Sequence, residues 1–270
     1  MRPGTPDLIP GLVKRHGILA LVGEHEVGKT LVSLEIAWSC VTQAPLWGEL
    51  PVVQTVPLVM YFLGEHDTDQ LKEQWSLTGR QFPPRTFDIV GSSERKVLVS
   101  KGERMEGNIA LYKEWCKGAG LVIFDPLSAY IAGENAENDA TAMRTLINAL
   151  GEIGEANGAM VIFNHHMGKP GLDPRSRAYE HRPKYASRGA SSIEDAVLYG
   201  FYLEESRDRH YTHRLKKFKF KGKAPNTYPL IRNPETYLHT RFHDPRSRLS
   251  TKCLPVKPEP VDLTGTTTEA

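Results

Sequence analysis

The sequence is poor in cysteine and has no long apolar run. Three cysteines, Cys40, Cys116 and Cys253, are spread over 270 residues and form no C-x-x-C pair, so neither a disulfide framework nor a cysteine zinc site is expected. No stretch approaches the roughly 20 apolar residues of a membrane span, and the opening MRPGTPDLIP lacks the apolar segment of a secretory signal. We therefore predict a cytoplasmic protein with no membrane partner.

A large excess of charge is also lacking, because the net charge is only +2. The charges are nevertheless unevenly distributed. Residues 167–188 hold six basic and two acidic residues, and residues 207–223 hold eight and one, whereas the rest of the chain has 20 basic and 29 acidic residues. Two basic segments on an acidic body favour a polyanionic partner, with a solvated basic surface as the alternative.

What the sequence does contain is an alternation of short apolar runs and helical patterns. The runs GILALV, LVMYFL, TFDIV, LVIFD and AMVIFNHH are separated by segments with apolar residues at helical spacing. Runs that are apolar at every position predict buried parallel strands. We therefore predict an α/β fold, in which a mostly parallel, twisted sheet has helices on both faces.

Three further segments follow the last of these runs. Residues 167–188 have no sustained period and predict a long mobile loop. VLYGFYLEES and YTHRLKKFKFKG predict a C-terminal β-hairpin that turns at residues 207–210. We predict one domain over residues 1–243 and a disordered tail over residues 244–270, which are rich in proline, threonine and charge.

The most informative motif follows the first apolar run. Residues 23–30, GEHEVGKT, fit the pattern G-x-x-x-x-G-K-[ST], and a helical pattern follows them. In such loops backbone N–H groups hold phosphates, the lysine contacts the β and γ phosphates, and the final hydroxyl ligates Mg²⁺. The predicted nucleotide-binding residues are Gly23, Glu24, His25, Glu26, Val27, Gly28, Lys29 and Thr30, and Thr30 is also a predicted metal ligand.

The two carboxylates in this loop need an explanation, since a phosphate site should avoid negative charge. Because the backbone holds the anion, the side chains of Glu24 and Glu26 can point to solvent, where a carboxylate costs little. We therefore predict that replacing Glu26 with Gly or Ser leaves nucleotide affinity unchanged or improved.

Polar residues also end three other predicted strands, and ligands collect at the carboxyl ends of parallel strands. Asp125 ends LVIFD and is suited to hold Mg²⁺ through water, or alternatively to cap a helix. Pro126 follows it, at the position where ATPases of the AAA+ group usually carry a catalytic glutamate. Glu65, after LVMYFLG, is therefore the candidate that orients the attacking water, with an ordinary surface acid as the alternative.

Asn164, His165 and His166 end the last run. Adjacent strand residues point to opposite faces, so the two histidines are poorly placed to share a metal ion. We favour His166 as the residue that hydrogen-bonds the γ-phosphate, because it directly precedes the predicted loop. A packed histidine is the alternative.

Taken in order, these segments resemble a known family. IPGLVKRHGILALVGEHEVGKT, YFLGEHD, LVIFDPLS, FNHHMGK, RGASSIEDA and KKFKFKG are similar to the RecA-like ATPases of the plasmid RepA type, relatives of the DnaB hexameric helicases, over about residues 8–223. The resemblance implies a RecA-like P-loop fold and a replicative DNA helicase. It also implies a ring, usually of six subunits, with ATP between neighbours and single-stranded DNA in the central channel.

The resemblance also assigns roles to single residues. Lys29 and Thr30 would bind ATP and Mg²⁺, Glu65 would be the catalytic carboxylate, Asp125 would support the metal, and a histidine of the 165–166 pair would sense phosphate. Two further assignments concern a neighbouring subunit's ATP: Arg188 in RGASS resembles an arginine finger, and Lys219 and Lys221 resemble a basic pair that reaches across the interface.

The predicted loop after His166 is the candidate DNA contact. Its basic side chains can bind backbone phosphates, and Tyr179 and Tyr185 can stack bases or simply pack. The basic residues are Lys169, Arg175, Arg177, Arg182 and Lys184. Two other functions stay open: a recombination or repair ATPase that coats DNA without unwinding it, and an interaction module gated by nucleotide.

Overall fold

The computed structural model describes residues 6–65, 67–134, 136–166 and 193–242. The predicted mobile loop, with Arg188 and the other basic residues and tyrosines assigned to it, lies outside the described residues. So does the predicted tail, and the division into a domain of residues 1–243 and a tail stays a prediction.

Four α-helices, one further helical turn over residues 193–196 and two 3₁₀ turns lie in the described parts of the chain. None of the four helices combines the length and the apolar character that crossing a membrane requires. The helices are α1 (Lys29–Thr42), α2 (Thr68–Ser76), α3 (Glu106–Trp115) and α4 (Ala140–Asn157), and the 3₁₀ turns are Leu127–Tyr130 and Ala136–Asn138.

The strands form one large sheet and two small ones. Their bounds are β1 (Asp7–Ile9), β2 (Val13–Lys14), β3 (Gly17–Gly23), β4 (Val59–Leu63), β5 (Phe87–Val90), β6 (Val99–Ser100), β7 (Glu103–Arg104), β8 (Leu121–Asp125), β9 (Ile131–Ala132), β10 (Met160–His166), β11 (Tyr199–Glu205), β12 (His213–Phe220), β13 (Thr227–Arg232) and β14 (His239–Arg241). β1 and β2 form a hairpin, and β7, β6 and β9 form a second small sheet.

The large sheet has nine strands in the order β14-β13-β12-β11-β3-β10-β8-β4-β5. The six strands from β11 to β5 are parallel to one another, and β12, β13 and β14 continue the sheet in antiparallel fashion. The predicted α/β architecture is confirmed, and it is that of a RecA-like P-loop fold. The carboxyl ends of β3, β10, β8 and β4 therefore meet at one edge, which we call the rim.

Helices cover both faces of the parallel part, as predicted, and strand alternation divides the core in two. Along β8, Leu121 and Ile123 pack on the side of α1 and α2, whereas Val122 and Phe124 pack on the side of α3 and α4. Asp125 continues the first set. The last residue of this strand consequently faces helix α1.

The predicted hairpin is also confirmed, because β11 and β12 pair in antiparallel fashion. The pairing runs from Tyr199 opposite Phe220 to Glu205 opposite His213. Its continuation into β13 and β14 was not predicted. Pro229 stands inside β13 opposite Arg214, and a proline within an apolar run argues against a strand when only the sequence is read. Pro229 has no N–H to donate, but its carbonyl oxygen still forms a hydrogen bond of the sheet, since it accepts the N–H of Phe242 at 2.9 Å.

Candidate nucleotide site

The loop between β3 and α1 leaves the start of the helix open to an anion. Glu26 (φ 61°) and Gly28 (φ 98°) adopt left-handed backbone conformations, and Gly28 precedes the helix with no side-chain cap within the described residues. Helices α2 and α4 begin differently, because the carboxylates of Asp67 and Asp139 accept their first N–H groups. An uncapped first turn presents several N–H donors and the positive end of the helix dipole, the arrangement that binds phosphate.

The side chains of the loop differ in their exposure to solvent. Glu24, His25 and Glu26 are exposed, while Val27 is buried. The nitrogen Nδ1 of His25 lies 3.7 Å from Oε1 of Glu26. The two loop carboxylates thus lie at the surface, as the reasoning about backbone-held phosphates requires.

Lys29 is buried and held by uncharged partners. Its Nζ donates to the carbonyl oxygens of Glu24 at 2.7 Å and Gly23 at 3.1 Å, and it lies 3.1 Å from Nδ1 of His166. Burial lowers the pKa of Lys29 to about 8, and the carboxylates of Asp125 and Glu65 oppose that shift. A buried ammonium whose hydrogen-bond partners are uncharged is suited to receive a phosphate oxygen.

Thr30 and Asp125 provide the oxygens for a cation. The Thr30 hydroxyl donates to Oδ2 of Asp125 at 2.6 Å, and the Tyr61 hydroxyl donates to the same oxygen at 2.7 Å. The described residues contain no cluster of three or more His, Cys, Asp or Glu side chains that could hold a metal ion. This donor set fits Mg²⁺, which usually takes one or two protein oxygens and completes its shell with water and phosphate.

Glu65 is exposed and follows a backbone segment that is fixed to the end of β8. The N–H of Gly64 donates to the carbonyl of Asp125 at 2.7 Å, and the guanidinium of Arg95 donates to the carbonyl of Gly64. A Cβ atom on Gly64 would lie 2.3 Å from Cβ of Ala129. Only glycine permits this approach, which brings Glu65 to the rim beside Asp125.

The end of β10 provides three polar side chains. Asn164 accepts a hydrogen bond from Ser33 at 2.9 Å, and its buried Nδ2 has no partner within the described residues. The ring of His166 contacts Lys29 and stacks on His25 with 4.8 Å between ring centroids. On the other face, burial lowers the pKa of His165 to about 4, with smaller contributions from His166 and Lys29. His165 is therefore neutral at physiological pH.

The structure does not bring Lys219 and Lys221 to this rim. Their strand runs away from it, since β12 pairs Lys219 with Gly200 and Phe220 with Tyr199, while Tyr199 pairs with Leu19 near the amino end of β3. Lys219 donates to the carbonyls of the 193–196 helix, at 2.6 Å to Glu194, whereas Lys221 is exposed.

The second basic segment is partly engaged within the protein itself. Lys217 donates to the carbonyl of Ala224 at 2.9 Å, and Arg214 forms an ion pair with Glu204 at 2.6 Å. Arg207, Arg209, Lys221 and Lys223 are exposed. Residues 207–223 therefore offer fewer free charges than the sequence suggests.

Sequence reasoning missed Tyr61, Ser33 and Arg95. A weak signal existed for Tyr61, which carries a hydroxyl in the middle of an apolar run. Ser33 falls one turn after the P-loop lysine, on the face that packs against β10. Arg95 had no signal, because it is 31 residues away from Gly64 along the chain and only the fold brings them together.

The comparisons with known proteins agree with this geometry. A family model described as an AAA domain matches residues 2–171, more than half of the chain, and includes the P-loop, Glu65, Asp125 and His166. No curated protein sequence matches the chain significantly. The chain therefore belongs to the AAA domain family, whose members are P-loop ATPases.

Proposed function

We propose that this protein is an ATP-hydrolysing DNA motor, a replicative helicase that acts as a ring on single-stranded DNA. The observation that carries the proposal is the gathering of Lys29, Thr30, Asp125 and His166 at one rim, with hydrogen-bonding distances of 2.6 Å from Thr30 to Asp125 and 3.1 Å from Lys29 to His166. Glu65 completes the set, because its carboxylate acts electrostatically on Lys29.

Each residue of the rim has a definite task in hydrolysis. Lys29 exchanges its carbonyl partners for β- and γ-phosphate oxygens, and the open first turn of α1 donates N–H groups to the same phosphates. Thr30 and Asp125 would hold Mg²⁺, which would neutralise phosphate charge. Glu65 is exposed beside them and orients the attacking water.

His166 links hydrolysis to the rest of the chain. Its Nδ1 lies 3.1 Å from Lys29 Nζ, so the hydrogen-bonding partners of both side chains change when the γ-phosphate leaves. His166 ends β10 and directly precedes residues 167–188, the segment proposed to bind DNA. That segment becomes the main DNA candidate, because several basic residues of the hairpin are engaged within the protein.

The distance of Lys221 from the P-loop of its own subunit bears on the proposed ring. Leu203 pairs with Gly23 and Tyr199 with Leu19, and β12 then runs back toward residue 221. Lys221 thus lies roughly 13 Å or more from its own P-loop, at ~3.3 Å per strand residue. A role for Lys221 at a nucleotide therefore requires the nucleotide of a second copy.

Phosphate release with and without single-stranded DNA, measured beside strand displacement on a forked duplex, tests this function. Wild type should hydrolyse ATP faster with DNA and should separate the strands, and Glu65→Gln should lose at least about a hundredfold in hydrolysis while still binding ATP. Stimulation without unwinding would indicate a coating ATPase, and neither activity would indicate a nucleotide-gated module.

Mixed assemblies test the contribution from a neighbour. Glu65→Gln and Lys221→Ala subunits should each be inactive alone, and mixing them should restore hydrolysis at the interfaces where an intact Glu65 meets an intact Lys221. Lys223→Ala is the matched control, because this exposed lysine lies two residues away and its loss should leave hydrolysis unchanged. No recovery in verified mixed assemblies would contradict the role in trans.

A further inference from the structure

One oxygen of Asp125 accepts hydrogen bonds from two hydroxyl groups. Thr30 donates to Oδ2 from the first turn of α1 at 2.6 Å, and Tyr61 donates to the same atom from the middle of β4 at 2.7 Å. Thr30 belongs to the P-loop motif, so its presence is explained by the proposed function. Tyr61 belongs to no motif, and its hydroxyl needs a separate explanation.

The neighbours of Tyr61 show that the strand does not require a hydroxyl. The other residues of β4 are apolar and buried, namely Val59, Met60, Phe62 and Leu63. The ring of Tyr61 packs against Phe87 with 6.0 Å between centroids, a contact that phenylalanine would make equally well. A buried hydroxyl is costly unless it is hydrogen-bonded, and the bond that it donates to Asp125 gives a reason for a tyrosine at this position.

Two donors on one oxygen fix the rotation of the carboxylate. The terminal torsion of an aspartate is broad, and a single hydrogen bond leaves the group free to turn about it. Thr30 and Tyr61 approach Oδ2 from a helix and from a neighbouring strand, and together they leave Oδ1 for other partners.

We propose that Tyr61 is a positioning residue that orients Asp125 toward Mg²⁺ at the rim. This inference rests on the proposed nucleotide site, and it adds a residue whose effect is exerted only through Asp125. Hydrogen-bond partners behind a metal ligand commonly tune metal affinity by ten- to a hundredfold.

Tyr61→Phe tests the inference, because it removes one oxygen atom and keeps the ring. The Mg²⁺ concentration that gives half-maximal binding of a fluorescent ATP analogue should rise about tenfold, while binding in EDTA should stay as in wild type. Saturating Mg²⁺ should restore most of the hydrolysis rate.

Tyr228→Phe is the matched control. Tyr228 is fully buried and donates to the carbonyl of Gly11 at 2.8 Å, in the antiparallel part of the sheet. Thermal unfolding should show a similar loss of stability in both variants, so that the two differ only in their response to Mg²⁺.

Three results would overturn the inference. A Tyr61→Phe protein with the Mg²⁺ dependence of wild type, or with equal weakening of binding in Mg²⁺ and in EDTA, would show a merely structural hydroxyl. An equal Mg²⁺ effect in Tyr228→Phe would show that loss of stability is the cause. A wild type that binds no nucleotide would instead refute the proposed function itself, so the two failures are distinguishable.

Discussion

Helix α1 carries two buried polar clusters whose partners differ in kind. At its start, Lys29 is held by two backbone carbonyls and the ring of His166. Two turns later Glu35 forms what we call the strap cluster, in which it accepts the Nε1–H of Trp47 at 3.2 Å and two N–H groups of His239, both at 2.7 Å. The side chains of Lys29 and Glu35 are both buried.

The difference in hydrogen-bond partners distinguishes a ligand-binding site from a cluster that only stabilises the fold. The carboxylate of Glu35 has donors on both of its oxygens, so this carboxylate needs no ligand, and the strap cluster joins strand β14 to the helix. The ammonium of Lys29 is held by dipoles, which an anion can replace with a large gain in interaction energy. Burial is therefore common to both clusters, and only the chemistry of the partners marks one of them as functional.

Among the variants that test this comparison, Glu35→Ala should have the largest effect on stability. It removes the acceptor of three N–H groups in a dry environment and should lower the free energy of unfolding by about 3 kcal/mol. Chemical denaturation measures this loss. Lys29→Ala is the counterpart at the other cluster. We expect it to abolish hydrolysis with little loss of stability, because burial removes water from the charged lysine and so makes its presence costly to the fold.

The opposite results for these two variants would contradict the comparison. A stable Glu35→Ala protein, or a Lys29→Ala protein that melts early, would mean that the kind of partner does not distinguish the clusters. Glu35→Gln serves as the conservative control, because it keeps an acceptor and should lose less stability than the alanine variant.

A second, smaller effect concerns acid. Burial, with help from His239 and Arg232, lowers the pKa of His213 to about 4 from the usual 6.5, and His213 packs on the strap histidine with 5.4 Å between ring centroids. The unfolded chain binds a proton at higher pH than the folded one, so stability is present above pH 6.5 and is lost as the pH falls toward 4.

Unfolding measured between pH 7 and pH 4.5 tests this expectation. His213→Asn should reduce the acid-induced loss of stability by roughly 1 kcal/mol. His165→Asn allows the same measurement at the rim, because the pKa of His165 is also lowered to about 4. Its acid-induced loss of stability is compared with that of His213→Asn. An unchanged pH profile in His213→Asn would show that another group causes the acid sensitivity.

The smallest effect is expected at the exposed part of the P-loop. Glu26 is exposed with φ 61°, a conformation that glycine adopts without strain. Glu26→Gly should therefore change nucleotide affinity by less than about twofold, or improve it slightly by removing a charge. Glu24→Gln is the control that removes a charge alone, and a large loss of affinity in Glu26→Gly would show that the carboxylate faces the phosphates.

Much of the rim could be predicted because its residues either end an apolar run or, like Lys29, belong to the motif that follows one. Strands that are apolar throughout must be buried, and parallel strands bring their carboxyl ends to one edge, so the sequence predicts that Lys29, Asp125 and His166 lie together. The strap cluster could not be predicted in the same way. Glu35 and His239 are 204 positions apart, and nothing in either local pattern indicates the other.

The sequence by itself determined the layered α/β architecture, the P-loop and the edge at which its partners lie, since these depend on periodicity and on short motifs. Only the tertiary structure decided which polar groups meet: Tyr61 with Asp125, Ser33 with Asn164, Arg95 with the backbone before Glu65, and Glu35 with His239. The physical reason is that a hydrogen bond needs positions fixed to within a few tenths of an ångström, and such positions arise from the packing of the whole sheet and its helices.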